Sequence, residues 1–185
     1  DLTPAELQRM FGDQVCTSIV NEECILTPVA QQWMEQINGY MAGGHCEGMA
    51  VLSALMYYGQ ADPSDFGAPK TNDLTIEGNV DLQREIAYWW TTQATYPGAA
   101  VEVSTSPNDV LNTLLANFEQ GKKAQEWWVV GIFKRDGSDG HAITPFGVED
   151  MGDGTYNVLV YDNNYPNETR TLIIDRNANT WQYEG

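Results

Sequence analysis

Three side chains of this chain have the types and order that nucleophilic acyl transfer needs. Cys46 follows Gly43-Gly44-His45 and precedes an apolar helical run, so it sits where backbone N–H groups and the helix dipole favour a thiolate. The glycines before it, Gly44 above all, let a ligand come close to the backbone. A thiol nucleophile needs a proton acceptor, and the chain has only two histidines. His45 adjoins Cys46, and neighbouring side chains on a helix point apart, so His141 is the stronger candidate. It opens the apolar strand-like run His141-Ala142-Ile143-Thr144, after the glycine-flanked turn that ends at Gly140. The next such run, Tyr156 to Tyr161, leads into Asp162-Asn163-Asn164. If these two runs pair antiparallel about a turn near Asp150 to Gly154, Asp162 returns beside His141 and orients the imidazole, with Asn163 as the alternative orienter.

The elements that must position these groups follow from caps and periodicity. Thr3-Pro4-Ala5-Glu6 starts a helix that should stop at Gly12, and Thr27-Pro28 starts another in the same way. The run from Cys46 to Tyr58 has almost no polar face, which describes a helix buried all round. Residues 59–78 read as a long ordered loop rich in Pro, Gly, Asp and Asn. Helical patterns return over Asp81 to Thr95 and from Ser106-Pro107 to Gly121. The period then changes. Trp127 to Phe133, His141 to Glu149, Thr155 to Tyr161 and Thr169 to Ile174 read as strands, with Trp181 to Tyr183 as a last edge strand. Helices followed by an antiparallel sheet predict an α+β fold of one domain over residues 1–185, mainly helical over 1–122 and β over 123–185.

The residues around the nucleophile carry a family resemblance. Gly44-His45-Cys46-Glu47-Gly48-Met49-Ala50, running on to Leu55-Met56-Tyr57-Tyr58-Gly59, resembles the nucleophile helix of papain-like cysteine peptidases, in particular the bacterial bacteriocin-leader-processing branch. Gly140-His141-Ala142 and Val158-Leu159-Val160-Tyr161-Asp162-Asn163 are similar to that branch's histidine and aspartate strands. The resemblance covers roughly 43–59 and 140–164. It implies a papain-like fold, with Cys46 attacking a carbonyl, His141 moving the proton and Asp162 holding the tautomer. It also implies an oxyanion hole made from the Cys46 N–H and one side-chain donor. The family usually carries Gln about six residues before the Cys, but this chain has Tyr40 there, so the donor must be Asn38, Tyr40 or Gln36, and Asn38 is the choice. Gly44, His45, Glu47 and Gly140 are expected to line the substrate site. Glu47 departs from the family, since a carboxylate beside the nucleophile opposes the thiolate unless it points away or selects a cationic substrate group.

Cysteine count and charge set the surroundings. Of the three possible pairings among Cys16, Cys24 and Cys46, proximity favours Cys16–Cys24, which leaves Cys46 free. That bridge needs an oxidising compartment, so a secreted or extracytoplasmic protein is expected. The chain opens at Asp1 without Met or a basic-then-apolar leader, so any targeting peptide is expected to have been removed already. The 185 residues hold 26 Asp and Glu against 9 Lys and Arg, a formal net charge of −17. No cationic patch exists to displace counterions from phosphates, and the most apolar run spans about ten residues against the roughly 20 a bilayer needs, so neither nucleic-acid nor membrane partners are expected. The acidity itself reads as a solvated surface, with preference for basic substrates as its alternative meaning.

No cofactor is expected. Ligand types at His45, Cys46, His141 and Asp162 would suit a metal, but no paired spacing supports one. Asp175 to Thr180 opens like a calcium loop yet lacks room for the closing Glu, so a polar turn is expected. The expected function is peptide-bond hydrolysis on a protein or peptide substrate, by a monomer. Deamidation or transamidation of Gln uses the same three groups, and an inactive papain-fold binding domain is the reading from a different class.

Overall fold

The structure is a computed structural model and describes residues 1–100, 106–121, 126–134 and 136–184. The expected division between helical and β parts, at 122 and 123, lies outside the described residues. In chain order the elements are α1 (Pro4–Phe11), β1 (Cys16–Val20), β2 (Glu23–Leu26), α2 (Pro28–Met41), α3 (Cys46–Tyr57), α4 (Val80–Thr92), α5 (Pro107–Gln120), β3 (Val130–Phe133), β4 (Gly140–Asp150), β5 (Thr155–Tyr161), β6 (Thr169–Asp175) and β7 (Thr180–Tyr183). The class is α+β. The chain divides into two compact units, Asp1–Met49 with Thr75–Ala99, and Ala50–Leu74 with Ala100–Gly185.

The first unit is built by local signals. At α1 the Glu6 carboxylate reaches back to the Thr3 N–H at 2.7 Å, and at α2 the Thr27 hydroxyl accepts from the Ala30 N–H at 3.2 Å. Pro4 and Pro28 fix φ at the first helical positions, where no N–H is needed. Leu2, Leu7, Met34, Ile37, Met41 and Ala87 form its core, and Phe11 meets Trp33 edge to face at 5.3 Å. Arg9 ties α1 to α4 through two bonds to the Glu85 carboxylate, at 2.5 and 3.0 Å.

By sequence, Thr17 to Glu23 reads as a short polar loop enclosed by Cys16 and Cys24, and the structure differs there. These residues belong to a two-stranded hairpin, β1 against β2, closed by Asn21 and Glu22 at φ 51° and 68°. Positive φ at both central residues is the primed turn whose twist suits a hairpin. The Cys16–Cys24 disulfide is present and joins the two strands.

The second unit centres on an antiparallel sheet in the order β3-β4-β5-β6-β7. Val158 and Val160 on β5, and Leu172 and Ile174 on β6, alternate inward and are buried, as a period of two demands. They pack with Ile143 and with Leu111 and Leu114 of α5. Each fully buried aliphatic side chain here contributes about 1.5–3 kcal/mol over exposure. Pro145, which cannot donate to a ladder, sits at the β4 irregularity between Pro145 and Gly147. The Thr144 hydroxyl donates to Ala50 O at 2.9 Å and so fixes β4 against α3.

β3 starts at Val130, later than the expected Trp127. The backbone before it is claimed elsewhere: Glu126 O accepts from the Asn117 amide of α5, and Trp127 stacks on Tyr58 at 4.7 Å. Those contacts pull the segment out of ladder register.

Candidate active site

Two groups of residues carry the candidate chemistry, Cys46 in the first unit and the His141–Asp162 pair in the second.

Cys46 is a free, half-buried cysteine at the first position of α3. His45 caps the helix, since its carbonyl takes the Met49 N–H at 3.1 Å. The first helical N–H groups have no intrahelical partner, so they face the space at the helix start as donors. Gly44 adopts φ 141°, a conformation that side-chain-bearing residues rarely adopt, with nothing within 4 Å of where a Cβ would stand. Gly48 has the opposite reason to be glycine. A Cβ there would lie 2.1 Å from Ile86 O and 2.9 Å from Trp90 N, so the first turn of α3 rests directly on the α4 backbone.

The flanking ionisable groups are shifted by burial. His45 is pushed down, which favours its neutral form, and the Glu47 carboxyl is pushed up. Glu47 therefore opposes a neighbouring thiolate less than a fully solvated carboxylate would.

The second group is set by strand register. β4 pairs with β5 so that Thr144 faces Tyr161, which returns Asp162, the first residue beyond β5, toward the start of β4. His141 Nε2 and Asp162 Oδ1 are 2.9 Å apart. Asp162 is fully buried. Its Oδ1 also accepts the Asn164 N–H at 2.8 Å, and its Oδ2 accepts the Tyr183 hydroxyl from β7. Burial pushes this carboxyl up, but the bonds from Tyr183, Asn164 and His141, with the charge of His141, outweigh it and hold the carboxyl below its usual range. An ionised Asp162 only accepts, so the proton of a neutral His141 resides on Nε2 and Nδ1 is the free acceptor.

The remaining expected site residues are placed as follows. Asn163 is half-buried next to Asp162, but the carboxylate of Asp162 is the group on Nε2. Asn38 is bonded to the N-terminal segment: its Oδ1 accepts the Leu2 N–H at 2.7 Å and its amide donates to Leu2 O at 3.1 Å. These two bonds clamp Leu2 to α2. Tyr40 and Gln36 are exposed. At Gly140 a Cβ would stand 2.6 Å from the ring of Phe133, an exposed side chain. Asp175 to Thr180 is the expected polar turn, with the Asp175 carboxylate accepting from the N–H groups of Asn177 and Ala178.

Tyr183 is the residue that sequence reading missed as a site member. It registered only as part of an edge strand, and its contact with Asp162 depends on two further strand pairings that no local signal encodes.

No protein-family model, curated protein or solved structure matches the chain.

Proposed function

We propose that the protein is a secreted papain-like cysteine peptidase that hydrolyses peptide bonds through Cys46. The observation that carries this reading is the bond from His141 Nε2 to a fully buried Asp162, which leaves Nδ1 as a base of fixed orientation. Buried carboxylates are costly unless paired, and this one is matched to an imidazole that is itself one-fifth exposed. Cys46 supplies the complementary half, a free thiol at a helix start behind two glycines.

In the reaction, the Sγ proton passes to His141 Nδ1 as sulfur bonds to the carbonyl carbon. The oxyanion is met by the Cys46 N–H. His141 then gives the proton to the leaving nitrogen as the C–N bond breaks, leaving a thioester. Water attacks that thioester, its proton goes to Nδ1, and the C–S bond breaks to release the acid and return the thiol. Asp162 stays ionised throughout and stabilises the imidazolium.

The Cys16–Cys24 disulfide supports an oxidising, extracytoplasmic setting, and no helix among the described residues is long and apolar enough to cross a membrane. The net charge of −17 supports Lys- and Arg-bearing substrates, drawn in by a field that salt screens.

The test is mass spectrometry of matched basic, acidic and Gln-containing peptides after incubation with the protein and with Cys46→Ala. Hydrolysis of basic peptides that slows with salt and vanishes in the variant is expected. A mass change confined to Gln would replace hydrolysis with amide chemistry. Intact peptides in every case would leave only a binding domain.

A further inference from the structure

The acyl-transfer reading uses one face of the Asp162 carboxylate and leaves the other unexplained. Oδ1 takes the His141 Nε2–H and the Asn164 N–H, while Oδ2 is occupied by the Tyr183 hydroxyl. We infer that Tyr183 is a positioning residue, whose hydroxyl shares the charge of Asp162 with His141 and thereby sets how tightly Asp162 holds the Nε2–H; its use in catalysis rests on the peptidase reading, its existence does not.

Three features support this. First, Asp162 is fully buried, so in the native fold its charge is met by protein donors. Second, the Tyr183 hydroxyl is held as a donor to Asp162: burial, then the bond to Asp162 and its charge, outweigh the opposing pull of Arg170 and keep its ionisation far above the ordinary phenol range. Third, Tyr183 is itself fixed. It pairs with Leu172 across β6 and β7, and Arg170, lying over the Tyr165 ring at 4.3 Å, donates to the Glu184 carbonyl next in the chain.

Two donors on one carboxylate compete, because each bond draws off charge that would otherwise strengthen the other. The other charged groups near this network lie at its ends. Asp139, paired with Lys134 at 3.0 Å, lies toward His141, and Arg170 with Glu168 lies toward Tyr183. None of these donates to Asp162 in place of Tyr183.

The test reads the Nε2–H resonance by NMR at pH 6 on the intact, histidine-labelled protein. Only two histidines exist, and His45→Gln assigns them. Tyr183→Phe is expected to move the His141 Nε2–H downfield, as Asp162 binds it alone. Fluorinated tyrosine at 183, a stronger donor of nearly unchanged shape, is expected to move it upfield, further with two fluorines than with one. If Tyr183→Phe does not fold, the fluorotyrosine series carries the test by itself. A resonance that stays in place across the series overturns the inference. A purely structural role would give at most a response to Phe and no graded shift. Failure of the peptidase reading appears elsewhere, as wild-type protein that cleaves no peptide, and leaves these resonances unaffected.

Discussion

His141 Nε2 lies 2.9 Å from Oδ1 of Asp162, a carboxylate with no exposed surface. This bond fixes both ring orientation and tautomer, because an ionised carboxylate can only accept. Asp162→Ala removes the acceptor that keeps the proton on Nε2 and the ring in place. It should therefore lower peptide cleavage by about 10³–10⁴-fold in kcat. Steady-state kinetics check this, and a loss under tenfold would mean that Asp162 does not set the tautomer.

Asp162 and Glu47 should give opposite pH dependences of stability. Asp162 is held below the ordinary carboxylate value, so its contribution is full above that value and is lost as pH falls through the lower folded value. Glu47 is raised by burial, so its protonated form is favoured in the fold, and that contribution is present at low pH and lost as pH rises through the raised value. Glu47→Gln should therefore be more stable than wild type at pH 7, with the gap closing toward pH 4. Thermal melts across that range decide it, and a gap independent of pH would show that Glu47 is not held in a desolvated place.

Gly48→Ala should be among the most damaging small substitutions in the chain. Its Cβ would fall 2.1 Å from Ile86 O and 2.9 Å from Trp90 N, and both are helix backbone atoms that cannot rotate away. Overpacking of this kind costs about 3 kcal/mol or more. At this chain length that is about 6 °C or more in Tm. A melt within 1–2 °C of wild type, on the same scale, would mean that α3 and α4 slide apart easily.

The Cys16–Cys24 bridge should matter for stability and not for chemistry. It closes a sequence separation of 8 residues. Loop-closure entropy for a ring of that size is about 2–3 kcal/mol. Cys16→Ser with Cys24→Ser should lower Tm by roughly 4–12 °C, while Cys46 labels as before. Lost labelling in the folded double variant would tie the hairpin to the nucleophile.

Helix starts were legible because they are encoded within four residues, as in Thr3-Pro4-Ala5-Glu6, Thr27-Pro28 and Ser106-Pro107. The inward alternation of Val158, Val160, Leu172 and Ile174 was equally readable, as was the Asp162 return beside His141, since one turn joins the two strands. The β1–β2 hairpin was hidden because its turn places Asn21 and Glu22, with no glycine, at positive φ, and because Thr17 to Val20 is exposed. The bonds of the Asn38 amide were not legible, because its partner, the Leu2 backbone, lies 36 residues away. Tyr183 was invisible for the same reason, since its partner Asp162 lies 21 residues back across two strand pairings.

The central claim, that His141 activates Cys46, is tested most directly by the rate of Cys46 alkylation with iodoacetamide near neutral pH, in wild type and in His141→Ala. A pair in working contact predicts that Cys46 reacts at least about tenfold faster than a free thiol, and that the advantage disappears in His141→Ala. A Cys46 that reacts no faster than a free thiol, or equally fast without His141, would contradict it.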